Sequence, residues 1–183
     1  MNILGISGSL RKGSWNTAAL HAAAELLPKG HSLSVAEIGE LPLLNTDLER
    51  DGKYPEVVET FRSKILAADA LLFAAPEYNA SIAAPLKNAI DWASRPANVL
   101  VGKPAAIIGV SGGLLGTARG QYPLRQTLGV LSVQLLGQPE VFIGNGGQKF
   151  DESGKLTDAA TREFLGKMLA AFVTFAARVR IAA

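Results

Sequence analysis

Residues 2–17 read Asn-Ile-Leu-Gly-Ile-Ser-Gly-Ser-Leu-Arg-Lys-Gly-Ser-Trp-Asn-Thr. The first six form a short apolar run that closes in serine and is followed by a polar loop. From Trp15 to Leu27 the residues Trp15, Ala19, Ala22, Ala23 and Leu26 recur at spacings of three and four, which gives one apolar helix face. The stretch is therefore strand, loop, helix, and the same unit recurs outward along the chain. Ser32 to Ile38 begins by alternating, as a partly exposed edge strand does. Beyond a long connection through Pro42 and Asp51, residues Val58, Phe61, Ile65 and Ala68 mark a second helix, and Asp69 to Ala75 is nearly all apolar, as befits a strand buried on both faces. A helix is expected from near Ala84, since proline is accepted in the first turn and Leu86, Ala89, Ile90 and Ala93 then share a face. Lys103 to Val110 reads as another buried strand, Tyr122 to Leu136 as a helix and Glu140 to Ile143 as a fifth strand. Leu165, Met168, Leu169, Phe172 and Val179 define the last helix.

Strands alternating with helices imply an α/β fold with a parallel sheet covered on both faces, because right-handed crossovers place the helices that way. A chain of 183 residues with 48% apolar content suits one domain, spanning 1–183, around a full core. For this length the expected architecture is a flavodoxin-like three-layer sandwich, its five-stranded parallel sheet in the order 2-1-3-4-5. In that order ligands sit beyond the carboxyl ends of strands 1, 3 and 4. The informative loops are then Ser7 to Trp15, Pro76 to Ser81 and Ser111 to Arg119.

Composition narrows the chemistry. With no cysteine in the chain, disulfides, thiolate metal sites, iron–sulfur clusters and thiol nucleophiles are excluded, so redox chemistry has to come from a bound cofactor. The formal charge of +2 comes from dispersed Lys and Arg, a pattern that gives no support to nucleic-acid binding. The longest apolar stretches, such as Ala67 to Pro76, are too short to cross a bilayer, and the start has no basic leader; a cytoplasmic protein without a membrane partner is expected. No spaced histidine or carboxylate cluster points to a metal.

The first loop combines glycines, hydroxyls and two cations just before a helix N-terminus, where free N–H groups and the helix dipole attract an anion. Ser9, Arg11, Ser14 and Asn16 are the candidate side-chain donors to a phosphate. The spacing of Gly8 and Gly13 nearly forms a nucleoside-triphosphate loop, but Ser14-Trp15 stands where lysine and a hydroxyl residue are required. No G-x-G-x-x-G is present, so a single phosphate suits this loop better than a pyrophosphate. The second loop, Pro76-Glu77-Tyr78-Asn79, offers a wall for a flat heteroaromatic ring. The third, Ser111 to Thr117, is rich in small residues that let the backbone approach a ligand. Gly109-Val110-Ser111-Gly112-Gly113 also fits the nucleophile turn of a serine hydrolase. Both histidines, His21 and His31, precede Ser111, against the order that such a triad follows. A flavodoxin-type electron carrier is the other alternative, although such carriers are usually strongly acidic.

Together these blocks resemble the NADPH-dependent FMN reductase family, the flavodoxin-like group of quinone, chromate and azo-dye reductases. The match is carried by Gly8-Ser9-Leu10-Arg11 with Ser14 and Asn16, by Pro76-Glu77-Tyr78-Asn79, by Leu86-Lys87-Asn88-Ala89-Ile90-Asp91-Trp92, and by Gly116 to Gln126. The resemblance implies bound FMN and NADPH or NADH as co-substrate, with ping-pong hydride transfer to a small acceptor. The flavin N5 would carry the chemistry, and no catalytic side chain is assigned. Ser9, Arg11, Ser14 and Asn16, with Trp15 beside them, would hold the phosphate. Pro76, Glu77, Tyr78 and Asn79 would line the ring, with Ser111 and Gly113 near its far edge. Asn88 and Asp91 would brace the loop or helix. The chain departs from the family pattern at Trp15, where a smaller apolar residue or phenylalanine is usual, at Ala83 and at Pro123. A homodimer or homotetramer is implied, and the segment with Arg119, Tyr122 and Arg125 resembles the tetramer contacts of some relatives.

Overall fold

The computed structural model describes residues 1–181, so the last two residues of the expected 1–183 domain lie outside the described residues. The sheet is built from β1 (Asn2–Ser7), β2 (Ser32–Ala36), β3 (Ala70–Ala74) and β6 (Pro104–Val110), with β7 (Gln134–Leu135) and β8 (Val141–Ile143) at its far edge. A separate hairpin, β4 (Glu77–Tyr78) with β5 (Ser81–Ile82), lies within the second loop. The helices are α1 (Trp15–Leu26), α2 (Glu56–Ala67), α3 (Ala84–Ala93), α4 (Ala118–Val130) and α5 (Ala159–Ile181). The order β2-β1-β3-β6-β7, every pair parallel, is the order read from the sequence.

β3 and β6 are buried at every position and carry core to both sides. On one side Leu71, Phe73, Ala105 and Ile107 pack under α2, α3 and α4; on the other Leu72, Ala74, Ala106 and Ile108 pack under α1 and α5. This is the period-two alternation of a strand between two helical layers.

β2 stops at Ala36, two residues short of the expected Ile38, and two larger differences stand out. The fifth position of the sheet is shared by two segments: β7 pairs Pro104 and Ala105, while β8 pairs Ile108 to Val110. Pro139, between them, has no N–H to give a ladder. Helix α4 spans Ala118–Val130 instead of Tyr122 to Leu136. Its first turn is fixed from outside, the Glu77 carboxylate accepting the Gly120 N–H at 3.0 Å. Its end is set by Ser132 in the left-handed region (φ 61°), which lets the Val133 N–H return to the Leu128 carbonyl at 3.0 Å.

The long connection before α2 is held by α3. The Asn88 amide accepts the Leu44 N–H and donates to the Pro42 carbonyl, each at 2.8 Å, and the Trp92 indole donates to the same carbonyl at 2.7 Å. Asp91 forms an ion pair with Lys87 at 2.8 Å. The buried Arg62 guanidinium donates to the carbonyls of Trp92, Ala93, Arg95 and Ala97, closing the carboxyl end of α3.

Near the top of β6, Gly109 has no room for a side chain: a Cβ there would overlap the Thr117 hydroxyl and stand 2.5 Å from the Ala75 carbonyl oxygen. Gly109→Ala is therefore expected to lower stability by about 1–3 kcal/mol, the usual cost of overpacking, measured as an earlier midpoint in urea unfolding. An unshifted midpoint would mean that β6 and the loop after it are not packed this way.

Candidate functional site

At the carboxyl ends of β1, β3 and β6 a cleft of about 190 Å³ opens between the three loops. Hollows of about 320 and 360 Å³ lie beside α2, where none of the three loops reaches, and one of about 260 Å³ lies between the first loop and the end of β2, away from the second and third loops. The cleft is bounded by Ser9, Arg11, Ser14, Trp15 and Asn16 from the first loop and helix start, by Pro76, Glu77 and Tyr78 from the second, and by Val110, Ser111 and Gly112 from the third. Nine residues singled out in the sequence thus come together there; Asn79 and Gly113 do not line it.

The turn from β1 into α1 is shaped by its cap. Ser14 is buried, and its hydroxyl oxygen accepts the N–H of Asn16 at 3.2 Å and of Thr17 at 3.4 Å. The hydroxyl proton stays available to a ligand. Among the described residues, the backbone N–H groups of Lys12, Gly13 and Trp15 take no intrachain hydrogen bond. Arg11 is exposed and makes no ion pair among those residues; its guanidinium sits over the Trp15 ring, 5.6 Å from the centroid. Trp15 in turn leans on the loop after β8, where a Cβ on Gly146 would come within 2.6 Å of its ring. An unpaired N–H, a free hydroxyl proton and an oriented cation at a helix N-terminus are the chemistry that suits a compact anion.

Four expected contributors have other work. Asn16 is buried, and its amide spans to the end of β6: Nδ2 donates to the Val110 carbonyl and Oδ1 accepts the Val110 N–H, both at 3.0 Å. That amide is committed to the backbone and is not free to bind a phosphate. The Glu77 carboxylate points away into α4, where it meets Arg119 at 2.7 Å and the Gly120 N–H, so only the rest of Glu77 borders the cleft. Asn79 occupies the hairpin tip with φ 51°. The Gly113 carbonyl is spent inside the loop cluster, accepting the N–H groups of Gly116 and Asn145.

The loop after β8 was missed as part of the site. Gly146 N–H donates to the Ser111 carbonyl at 2.9 Å, so this loop supports both the third loop and Trp15. The run Gly144-Asn145-Gly146-Gly147 was its available signal, placed just beyond the last strand. Arg119 and Arg125 are paired within the chain, to Glu77 and Glu140, while Tyr122 is half exposed. Ser111 donates its hydroxyl to the Gly113 carbonyl at 3.3 Å, and no histidine borders the cleft; the His31 ring meets the N-terminal amine at 3.2 Å instead. A serine-hydrolase triad is not assembled. No described helix is long and apolar enough to cross a membrane.

Residues 1–148 match the model of a family described as NADPH-dependent FMN reductase. An NAD(P)H-dependent FMN reductase of Pseudomonas aeruginosa is 52% identical over 181 residues, covering 98% of this chain and 97% of its own. An NADPH:quinone oxidoreductase of Arabidopsis thaliana is 48% identical over 185 residues, covering 98% and 94%. Among solved structures, the flavoenzyme NAD(P)H:(acceptor) oxidoreductase FerB of Paracoccus denitrificans superimposes with a TM-score of 0.89 at 36% identity, covering 97% of each chain.

The grip of Glu77 on α4 fixes the hairpin that carries Tyr78. Glu77→Ala removes a hydrogen bond to a charged partner and leaves the Gly120 N–H without its acceptor, a loss of about 1–3 kcal/mol. Urea unfolding should show the loss, and hydrogen exchange at Gly120 should speed up. Unchanged exchange there would mean that the carboxylate does not cap this helix.

Proposed function

The chain belongs to the NADPH-dependent FMN reductase family, and on that premise we propose that the cleft holds FMN, that NADPH or NADH is the reductant, and that a quinone is the acceptor. The chain is an NAD(P)H-dependent oxidoreductase of the FMN-reductase and quinone-oxidoreductase type. The observation that carries the cofactor reading is the donor set where β1 gives way to α1. Trp15 with its unpaired N–H, Ser14 with its hydroxyl, Arg11 with its guanidinium and Ser9 all border the same end of the cleft. That chemistry fits the single phosphate of a mononucleotide.

In this reading Ser9, Arg11, Ser14 and the Trp15 N–H hold the phosphate, with the Trp15 ring keeping the guanidinium in place. Pro76, Glu77 and Tyr78 line one side of the ring through their backbone, and Ser111 and Gly112 line the other. Asn79 shapes the hairpin turn and Gly113 the third loop. When bound, FMN supplies a flat redox ring that can take a hydride and pass electrons on. The protein's share is to bind and orient that ring and to keep one face open to nicotinamide and acceptor in turn, which gives ping-pong kinetics. No side-chain nucleophile is needed. The finer reading includes a homodimer or homotetramer, with a second copy covering the exposed Tyr78, Leu114, Leu115 and Tyr122.

The purified protein should be yellow and should bleach when NADPH or NADH is added without oxygen; failure to oxidise either would favour a mere electron carrier. Arg11→Ala should weaken FMN binding by about tenfold or more, given the roughly 1.5–3 kcal/mol of a hydrogen bond to a charged group. Titration of the flavin-free protein measures this, and an unchanged affinity would move the phosphate elsewhere.

A further inference from the structure

The double hydrogen bond between Asn16 and Val110 joins residues far apart in sequence, and its placement explains why an amide is needed. β3 pairs with β6 only as far as Ala74 opposite Ile108, and the Ala75 N–H then meets the Ile108 carbonyl at 2.8 Å. The next residue is Pro76, which has no N–H, and there the chain leaves the sheet to build the second loop. Ser111 N–H bonds the Ile143 carbonyl on the other side, so the N–H and C=O of Val110 face the gap that β3 has vacated. The Asn16 side chain enters that gap with one donor and one acceptor and completes the ladder as another peptide group would.

We propose that Asn16 is a positioning residue that fixes the span between the anion corner and the ring wall, so that one ligand can reach both at once. Asn16 sits in the first turn of α1, one residue from Trp15 and two from Ser14; Val110 immediately precedes Ser111 and Gly112. The amide therefore ties the two sides of the cleft together across a buried contact. A ligand that bridges two half-sites gains from their fixed separation, and that gain is lost if the separation can drift. The inference rests on the FMN reading above and assigns Asn16 a role in it without contact to phosphate.

The test uses flavin-free wild-type protein and Asn16→Ala, titrated separately with FMN, riboflavin and inorganic phosphate. FMN affinity should fall about tenfold or more in the variant, while riboflavin and phosphate affinities each stay within about twofold. If FMN and phosphate affinities fall together, Asn16 is a direct phosphate ligand and the inference is overturned; unchanged FMN affinity overturns it equally. Wild-type protein that binds no FMN would sink the functional reading and this inference with it. Should the variant fail to fold, hydrogen exchange at the wild-type Val110 N–H decides the matter. That amide should be protected in the flavin-free protein and stay protected when phosphate or FMN is added; a loss of protection would show Asn16 leaving Val110 for the anion.

Discussion

Backbone groups that lack partners where strands end and helices begin are the constraint on which this molecule depends. A buried N–H or C=O without a hydrogen bond is costly, so each has to be answered by something. At the top of this sheet the answers come from side chains: Asn16 for Val110, Glu77 for Gly120, and Ser14 for the first turn of α1. Those three contacts set the walls of the cleft. The Trp15 N–H, at the start of α1 and beside the cleft, gets no such answer from the described protein, and an anion is a natural partner for it.

The same logic explains how a scaffold with ordinary packing becomes a binding site. The core is a layer of small and branched residues with Phe73 on β3 and β6 between two helical layers, an ordinary apolar packing that many functions share. Specific chemistry begins where the ladder stops at Pro76 and the chain turns out to form the hairpin. The hairpin is then tied back to α4 by a carboxylate, and the glycine-rich loop after β8 supports Trp15 from behind.

Most of the fold was legible in the sequence because its cues are local. Apolar runs such as Ala70–Ala74 and the three-and-four spacing of Leu86, Ala89, Ile90 and Ala93 do not depend on distant residues, and they placed the strands and helices in order. The start of α4 was not legible because its cap comes from Glu77, some forty residues earlier in the chain. The shared fifth strand position escaped for a related reason: Gln134 and Leu135 are too short a run to signal a strand without the partner they pair with. The residues of the cleft were found from loop position and residue type, which fix where a side chain starts but not where it ends. Asn16 looked like a phosphate donor beside Ser14 and proved to belong to Val110, a partner 94 positions away. Glu77 borders the cleft, but its carboxylate is turned to cap α4. Ser9, Arg11 and Ser14 kept an outlook onto the cleft because no distant group claims them.

The central claim is that the corner between β1 and α1 receives the phosphate of a mononucleotide. A crystal structure of the protein grown with FMN addresses it directly. The account predicts phosphate density within hydrogen-bond reach of the Ser14 hydroxyl, the Trp15 N–H and the Arg11 guanidinium, with the Asn16 amide still on Val110. Density for the phosphate anywhere else, or Asn16 turned onto it, would contradict the account.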